Sequence, residues 1–238
     1  MKAREFITEA TWQDQVKAAM KADKQIESPE KVAQFFEFVE QNCATFLSEI
    51  GGIQNINKFS LYHGTKLRLA PARLLTVRKN RTPIDTPEDT QELIDDWFEK
   101  RTGIRFRESS VFATGNPANA EAYGSLSVMF PVGKFNYAWS PVYDDLTSSL
   151  EIFMTKNGTA YLEDEYDTYS DIIYTDSAGM EFNKHDVTNP KLINLFMVQG
   201  MFKVNKNLRD AIISNNEITL DCNQAIIVDY NWLERAIG

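Results

Sequence analysis

Apolar residues recur at helical spacing near the start of the chain, at intervals of three or four residues that place one face against a core. A Ser-Pro pair at 28–29 offers an N-cap followed by proline at the first helical position, and Gly-Gly at 51–52 supplies a stop. Thr11 precedes an earlier helix over Trp12–Met20. We therefore predict a helical N-terminal region over residues 1–57. The apolar face of its second helix comprises Val32, Phe35, Phe36, Val39, Cys43 and Phe46.

Alternating apolar and β-branched positions predict strands in the rest of the chain. An Asn-Gly pair at 157–158 is a hairpin signal that would join two of them. We predict a polar loop after Thr65 and an acidic, turn-rich excursion over Asp164–Pro190. The predicted strands are Lys58–Thr65, the end of Gly103–Thr114, Ser125–Pro131, Ser149–Thr155, Thr159–Glu163, Glu217–Leu220 and Ala225–Val228.

Helix signals alternate with these strands. Thr-Pro-Glu at 86–88 begins a helix to about Lys100, and Asn-Pro-Ala at 116–118 begins a small-residue helix through Tyr123. A third helix is predicted over Lys191–Val204, and a short one closes the chain. Because the elements lack the regular spacing of βαβ units, the pattern favours an α+β domain over residues 58–238. The inward face of the first of these helices comprises Leu93, Ile94, Trp97 and Phe98.

Composition and charge narrow the class of protein. With 238 residues and 43% hydrophobic content, the chain can bury a sizeable core. A net charge of -9 disfavours broad, nonspecific binding to nucleic acid. Cys43 and Cys222 are too few for a disulfide framework, and the N-terminus lacks a signal-peptide core. No window of about 18 residues is apolar enough to span a membrane, so we expect a cytoplasmic protein without a membrane partner.

One stretch departs from the acidic average. Residues 66–81 contain six basic side chains and no acidic one, which predicts a patch able to hold a phosphate-bearing ligand. These side chains are Lys66, Arg68, Arg73, Arg78, Lys79 and Arg81.

Several common catalytic motifs are absent from the sequence. It contains no Gly-x-Gly-x-x-Gly, Walker loop, Gly-x-Ser-x-Gly or His-Glu-x-x-His, which disfavours P-loop hydrolysis, serine hydrolysis and zincin proteolysis. The acidic run Glu163–Asp171 lacks the ligand spacing and central glycine of a calcium loop, so no metal site is predicted. His185 and Asp186 are adjacent on a loop and are interpreted as structural.

Three segments carry the candidate chemistry: LYHGT at 61–65, SSVFATGNPANAEAYG at 109–124 and NNEITL at 215–220. Together they resemble the ADP-ribosyltransferase superfamily, in its poly(ADP-ribose) polymerase and diphtheria-toxin branch. There, a strand ends in His-Gly-Thr, a later strand reads like Tyr-Phe-Ala before a helix bearing tyrosine, and a late strand presents glutamate. The matching positions here are His63, Gly64, Thr65, Val111, Phe112, Ala113, Tyr123 and Glu217.

The resemblance implies a split β-sheet core and NAD as substrate. His63 and the backbone beside Gly64 would hydrogen-bond the adenosine-side ribose and the nicotinamide amide, and Tyr123 would stack on the nicotinamide ring. Glu217 would hydrogen-bond the nicotinamide ribose and stabilise the positive charge that develops as the glycosidic bond breaks. The NAD-binding positions that the resemblance implies are His63, Gly64, Thr65, Ser110, Phe112, Ala113 and Tyr123.

Several assignments within this resemblance stay open. Arg78 and Arg81 are candidates to clamp the pyrophosphate, because guanidinium groups match phosphate oxygens in bidentate geometry. Glu151 and Glu163 are rivals of Glu217. Ser109 and Ser110 could instead stand for the Ser-Thr-Ser element of arginine-directed transferases, although that branch starts from arginine where this chain has His63.

The leading hypothesis is an NAD-dependent ADP-ribosyltransferase that modifies a macromolecular acceptor and releases nicotinamide. The acceptor is left open between protein and nucleic acid, and the opening MKAREFITEA suggests a phage-encoded protein acting on host targets in the host cytoplasm. One alternative is a non-catalytic binding, virion or host-takeover protein on a transferase-like scaffold. Another is a nuclease or RNA-modifying enzyme that uses the basic stretch, which predicts strongly salt-dependent binding.

Overall fold

The computed structural model describes residues 29–66, 71–82, 86–157, 173–175, 181–183 and 188–237. The described part is a mixed α+β fold with an eight-stranded antiparallel sheet, a separate two-stranded ribbon and nine α-helices. None of its described helices is long and apolar enough to cross a membrane.

Helices and strands are interspersed along the chain. The helices are α1 (Pro29–Asn42), α2 (Ala44–Ile50), α3 (Glu88–Thr102), α4 (Phe106–Ser109), α5 (Pro117–Glu121), α6 (Leu146–Asn157), α7 (Pro190–Gln199), α8 (Leu208–Ser214) and α9 (Tyr230–Ile237). The strands are β1 (Leu61–Thr65), β2 (Ala72–Thr76), β3 (Val111–Thr114), β4 (Ser125–Pro131), β5 (Asn136–Trp139), β6 (Ile173–Thr175), β7 (Glu181–Asn183), β8 (Lys203–Val204), β9 (Glu217–Asp221) and β10 (Gln224–Asp229).

The large sheet has the strand order β2-β10-β4-β1-β3-β9-β5-β8. Strands β1, β3 and β9 are consecutive neighbours in this order, although β3 and β9 are far apart in the sequence. The register sets Tyr62 opposite Thr114, and Thr114 opposite Glu217. The three motif segments of the sequence therefore meet in the middle of one sheet.

One hydrophobic core joins the sheet to α1, α2, α8 and α9. Phe130 of β4 lies at its centre, fully buried, with ring centroids 6.2 Å from Phe35 and 5.9 Å from Phe46 in edge-on geometry. Phe35 also contacts Trp232 of α9 at 5.1 Å. Edge-to-face aromatic pairs add to the free energy gained by burial, so the N-terminal helices are anchored on the sheet through these rings.

A second core joins α3, α4, α6 and α7 on the side of the sheet where Ala138 lies. Phe98 and Phe106 contact each other at 5.2 Å, and Tyr143 stacks on Phe196 at 4.4 Å. This core fixes α4 and the start of α6, two elements that contribute side chains to the site described below.

The predicted strand Ser149–Thr155 is wrong, because these residues lie within helix α6. Leu146, Leu150, Phe153 and Met154 are buried at intervals of three or four residues, which is the helical period. This period outweighed the β-forming composition of the segment.

Other predicted boundaries also need correction. The predicted polar loop after Thr65 contains strand β2, β5 and α8 were not predicted, and α4 lies inside the stretch Gly103–Thr114. The helix predicted to continue to Ile50 is interrupted at Cys43, and the one predicted to reach Val204 ends at Gln199. Short elements of this kind are stabilised by tertiary packing and leave weak local signals.

Several local predictions are confirmed. Strand β4 has the predicted bounds Ser125–Pro131, and Asn116 caps α5 by accepting a hydrogen bond from the Ala118 N–H. On α3, Ile94 and Phe98 are fully buried as predicted. Capping and periodicity are local properties, which is why the sequence alone reveals them.

Some predictions lie outside the described residues. These are the helix over Trp12–Met20, the strand Thr159–Glu163, Arg68, the His185 and Asp186 pair, and most of the excursion Asp164–Pro190.

Candidate functional site

His63 lies on strand β1, and its ring reaches across to the neighbouring strand. Its Nδ1 is 2.8 Å from the carbonyl oxygen of Phe112. A carbonyl oxygen can only accept, so Nδ1 carries the proton, and in the neutral ring Nε2 is then an acceptor. Burial lowers the pKa of His63, the bond to Phe112 opposes this, and the nearby Arg81 lowers it further. The ring is therefore held neutral and oriented, which suits Nε2 to accept a hydrogen bond from a hydroxyl group.

Glu217 opens strand β9 and forms an ion pair that the sequence did not suggest. Its Oε1 accepts a hydrogen bond of 2.7 Å from Nη1 of Arg107, with only 8% and 18% of the arginine and glutamate side chains exposed. The Arg107 Nη2 also reaches Oγ1 of Thr147 at 3.4 Å. A pair this well shielded is screened little by solvent, so each partner depends on the other.

Opposing effects act on the pKa of Glu217. Burial raises it most, Arg107 lowers it, and the neighbouring carboxyl of Asp145 raises it again. The backbone N–H of Glu217 donates to the carbonyl oxygen of Asp144 at 2.7 Å. The loop before α6 is therefore attached to Glu217 through the backbone.

The Phe112 ring is a platform for two guanidinium groups. Arg81 lies 4.3 Å and Arg107 4.6 Å from its centroid, within the range of cation–π attraction. Arg81 also donates from Nη1 to the carbonyl oxygen of Ser110 at 3.1 Å. Burial and the proximity of Arg107 lower its pKa. Among the described residues, no carboxylate pairs with Arg81, so this part of the site suits an external anion.

Tyr123 stands at the open side of the site. It is 59% exposed, and its hydroxyl donates to Oδ2 of Asp145 at 3.4 Å. Close packing of α5 on β1 holds it there, since a Cβ added at Gly64 would lie 2.1 Å from the Ala120 carbonyl oxygen and 2.9 Å from the Tyr123 Cβ. Only glycine fits at position 64 without moving this helix.

The other predicted site residues differ in their accessibility. Thr65, Ser110 and Ala113 are buried, and the Ser110 hydroxyl has no hydrogen-bond partner among the described residues. Arg78 is exposed and near enough to Arg81 to lower the pKa of that guanidinium. Fewer side chains therefore lie close together in this site than the resemblance to ADP-ribosyltransferases implies.

The rival assignments fare differently. Glu151 lies on helix α6, and Glu163 is outside the described residues. Ser109 donates to Asp221 at 3.3 Å, and Asp221 also holds Lys79 at 2.6 Å. The basic stretch is therefore partly neutralised by the protein itself, which weakens the nucleic-acid hypothesis.

We find no matching family model, no matching curated protein and no matching solved structure for this chain. Within the described residues, no three histidine, cysteine, aspartate or glutamate side chains are grouped to hold a metal ion.

Sequence reasoning missed Arg107, Asp145 and Thr147. Arg107 is 110 residues from Glu217 in the chain, and no local pattern marks such a pair. The sequence contains only a weak signal for Arg107. This residue lies two positions before the Ser-Ser pair of the second motif, and therefore close to strand β3.

Asp95 of α3 positions the short helix that carries Arg107. Its two carboxyl oxygens accept the backbone N–H groups of Arg107 at 2.6 Å and Glu108 at 2.9 Å. Burial raises the pKa of Asp95 from 3.8 to about 6, against the effect of these bonds and of Arg105. The geometry of the ion pair therefore depends on a buried carboxyl group in the second core.

We expect this group to make stability depend on pH. The pKa of Asp95 is higher in the folded protein than in the unfolded chain, so protonation of this group stabilises the fold. Its contribution to the free energy of unfolding is fully present below pH 3.8 and is lost as the pH rises through about 6. The change is at most about 3 kcal/mol, the free energy that corresponds to this difference in pKa. Urea unfolding at several pH values should show it in the wild type and not in Asp95→Asn. The exposed Asp89→Asn is the control; an identical pH dependence in all three proteins would contradict the assignment.

Proposed function

We propose that this protein binds NAD and transfers its ADP-ribose part to a macromolecular acceptor, with nicotinamide as the leaving group. The observation that carries the proposal is the adjacency of β1, β3 and β9, which bring His63, Phe112 and Glu217 to neighbouring strands. These are the segments through which the sequence resembles ADP-ribosyltransferases. An ADP-ribosyltransferase-like split sheet belongs to the same proposal.

His63 would hold the adenosine-side ribose of NAD, and Tyr123 would hold the nicotinamide ring. With Nδ1 donating to Phe112, Nε2 of His63 is left to accept a ribose hydroxyl. The exposed face of Tyr123 offers a surface on which a planar ring can stack.

Glu217 would place a negative charge beside the ribose, where the reaction develops positive charge. As the bond between the ribose and nicotinamide breaks, positive charge builds on the sugar, and a preorganised carboxylate stabilises it without reorienting. The effect is greater in a shielded site, because the local dielectric constant is lower than in water. Arg107 fixes the carboxylate by their 2.7 Å bond.

Arg81 is the candidate for the pyrophosphate of NAD. Its guanidinium is half-buried, oriented by the Ser110 carbonyl and by the Phe112 ring, and forms no ion pair with a carboxylate of the described residues. An anion arriving there would form charge-assisted hydrogen bonds.

The experiment is a measurement of NAD binding and nicotinamide release by purified protein, with cell lysate as a source of acceptors. We expect the wild type to bind NAD and release nicotinamide. Arg81→Ala should raise the Kd by about 10- to 100-fold, corresponding to the 1.5–3 kcal/mol typical of hydrogen bonds to charged groups. Arg101→Ala is the matched control, because that exposed guanidinium lies on Trp97 of α3.

The outcomes separate the hypotheses. Binding of NAD without nicotinamide release under any condition would favour a binding protein on a transferase-like scaffold. Absence of both binding and release would refute the proposal. Salt-dependent binding of nucleic acid with no response to NAD would favour the nucleic-acid alternative.

A further inference from the structure

We propose that Asp145 is a second catalytic carboxylate, which takes the proton from the acceptor group as ADP-ribose is transferred to it. This inference rests on the proposed function and assigns a role that Glu217 does not fill. It also restricts the acceptor to groups that carry a removable proton, such as a hydroxyl or an N–H.

The position of Asp145 is fixed from two sides. Its Oδ1 accepts the backbone N–H of Ser148 at 2.8 Å, which caps the first turn of α6. Its Oδ2 accepts a hydrogen bond from the Tyr123 hydroxyl at 3.4 Å, and its carboxyl lies close enough to Glu217 to raise the pKa of that residue. The residue thus links the two side chains that the proposed reaction uses and does so from a rigid helix terminus.

The two carboxylates lie in different environments. Glu217 is largely shielded and committed to Arg107, which suits a fixed charge beside the donor ribose. Asp145 is half-buried and beside the exposed Tyr123, on the side from which a macromolecule can approach. A general base must reach a proton on the incoming group, and of the two carboxylates only Asp145 combines such access with contact to the site.

The proposed step balances without a further reactant. The bond between the anomeric carbon and the nicotinamide nitrogen breaks, and its electron pair leaves with nicotinamide. A lone pair of the acceptor oxygen or nitrogen forms the new bond to that carbon, and the acceptor's proton passes to the Asp145 carboxylate.

The test is chemical rescue of Asp145→Asn, measured as nicotinamide release and transfer to acceptors in lysate. Asparagine retains a capping oxygen for Ser148, so the fold should be kept, and a thermal unfolding curve checks this. We expect the rate of transfer to fall by about 10²- to 10⁴-fold, the usual contribution of a general base. Sodium azide, an anion that has no proton to lose, should restore nicotinamide release in this variant.

Two further variants make the result specific. Azide should not restore Glu217→Gln, because that substitution removes stabilisation of the sugar cation rather than a proton acceptor. The exposed Asp89→Asn should behave as the wild type. Wild-type rates in Asp145→Asn, or a loss that azide does not restore, would overturn the inference while leaving the proposed function intact. A wild type that releases no nicotinamide would refute both.

Discussion

Replacing Glu217 by glutamine is expected to lower the rate of nicotinamide release by about 10²- to 10³-fold, the loss typical when one preorganised group that stabilises transition-state charge is removed. Glutamine keeps the size of the side chain and an oxygen that can accept from Arg107, so the main change is the loss of negative charge. The binding of NAD should change much less, since the positive charge on the sugar develops only as the bond breaks.

The measurement is steady-state release of nicotinamide, with the rate constant and the KM determined separately. A fall in the rate constant with little change in KM identifies an interaction made in the transition state. Glu88→Gln, an exposed acid in the first turn of α3, is the control. Full activity in Glu217→Gln would show that Glu217 does not stabilise the sugar cation. It would also remove the main support for the proposed reaction.

Replacing Arg107 by alanine is expected to have the largest effect on stability. The substitution leaves Glu217 without its cation in a site where only 18% of the glutamate side chain is exposed. Breaking a buried pair by removing one partner typically costs about 3–5 kcal/mol. It also removes the guanidinium that lies 4.6 Å from the Phe112 ring centroid. Urea unfolding monitored by tryptophan fluorescence measures the loss.

The double variant Arg107→Ala with Glu217→Gln isolates the ion pair. If the unpaired charge is the main cost, the double variant should be more stable than Arg107→Ala alone. Acidification should also reduce the cost in Arg107→Ala, because burial already raises the pKa of Glu217 and protonation then removes the charge. Equal stability losses in the single and double variants at every pH would show that lost packing, not charge, is responsible. Arg101→Ala should cost less than about 1 kcal/mol, as exposed cation–π contacts do.

Arg107 links the stability of the protein to its proposed chemistry. It is held by Asp95 through its backbone, and its side chain orients Glu217. Because the Asp95 carboxyl is buried and the Glu217 carboxyl is largely shielded, the site is costly to maintain in the folded state. Destabilised, charge-bearing clusters of this kind are concentrated at functional sites, which agrees with a role beyond packing.

The locally encoded features of this protein could be predicted from its amino-acid sequence. The N-cap at Asn116, the buried face of helix α3, the strand Ser125–Pro131 and the end of strand β1 at Thr65 follow from capping and periodicity. Each depends on residues within a few positions of one another, so the information is contained in a short window.

The long-range partners and the ambiguous elements became known only from the folded chain. The sequence predicts a strand where helix α6 forms, because a short apolar run fits both periods until its buried face is known. The Arg107–Glu217 pair, the Asp145 contact to Tyr123 and the adjacency of β3 to β9 join residues that are distant in the chain. Such contacts depend on the path of the whole chain and on which faces become buried. No local segment of the sequence determines either of these.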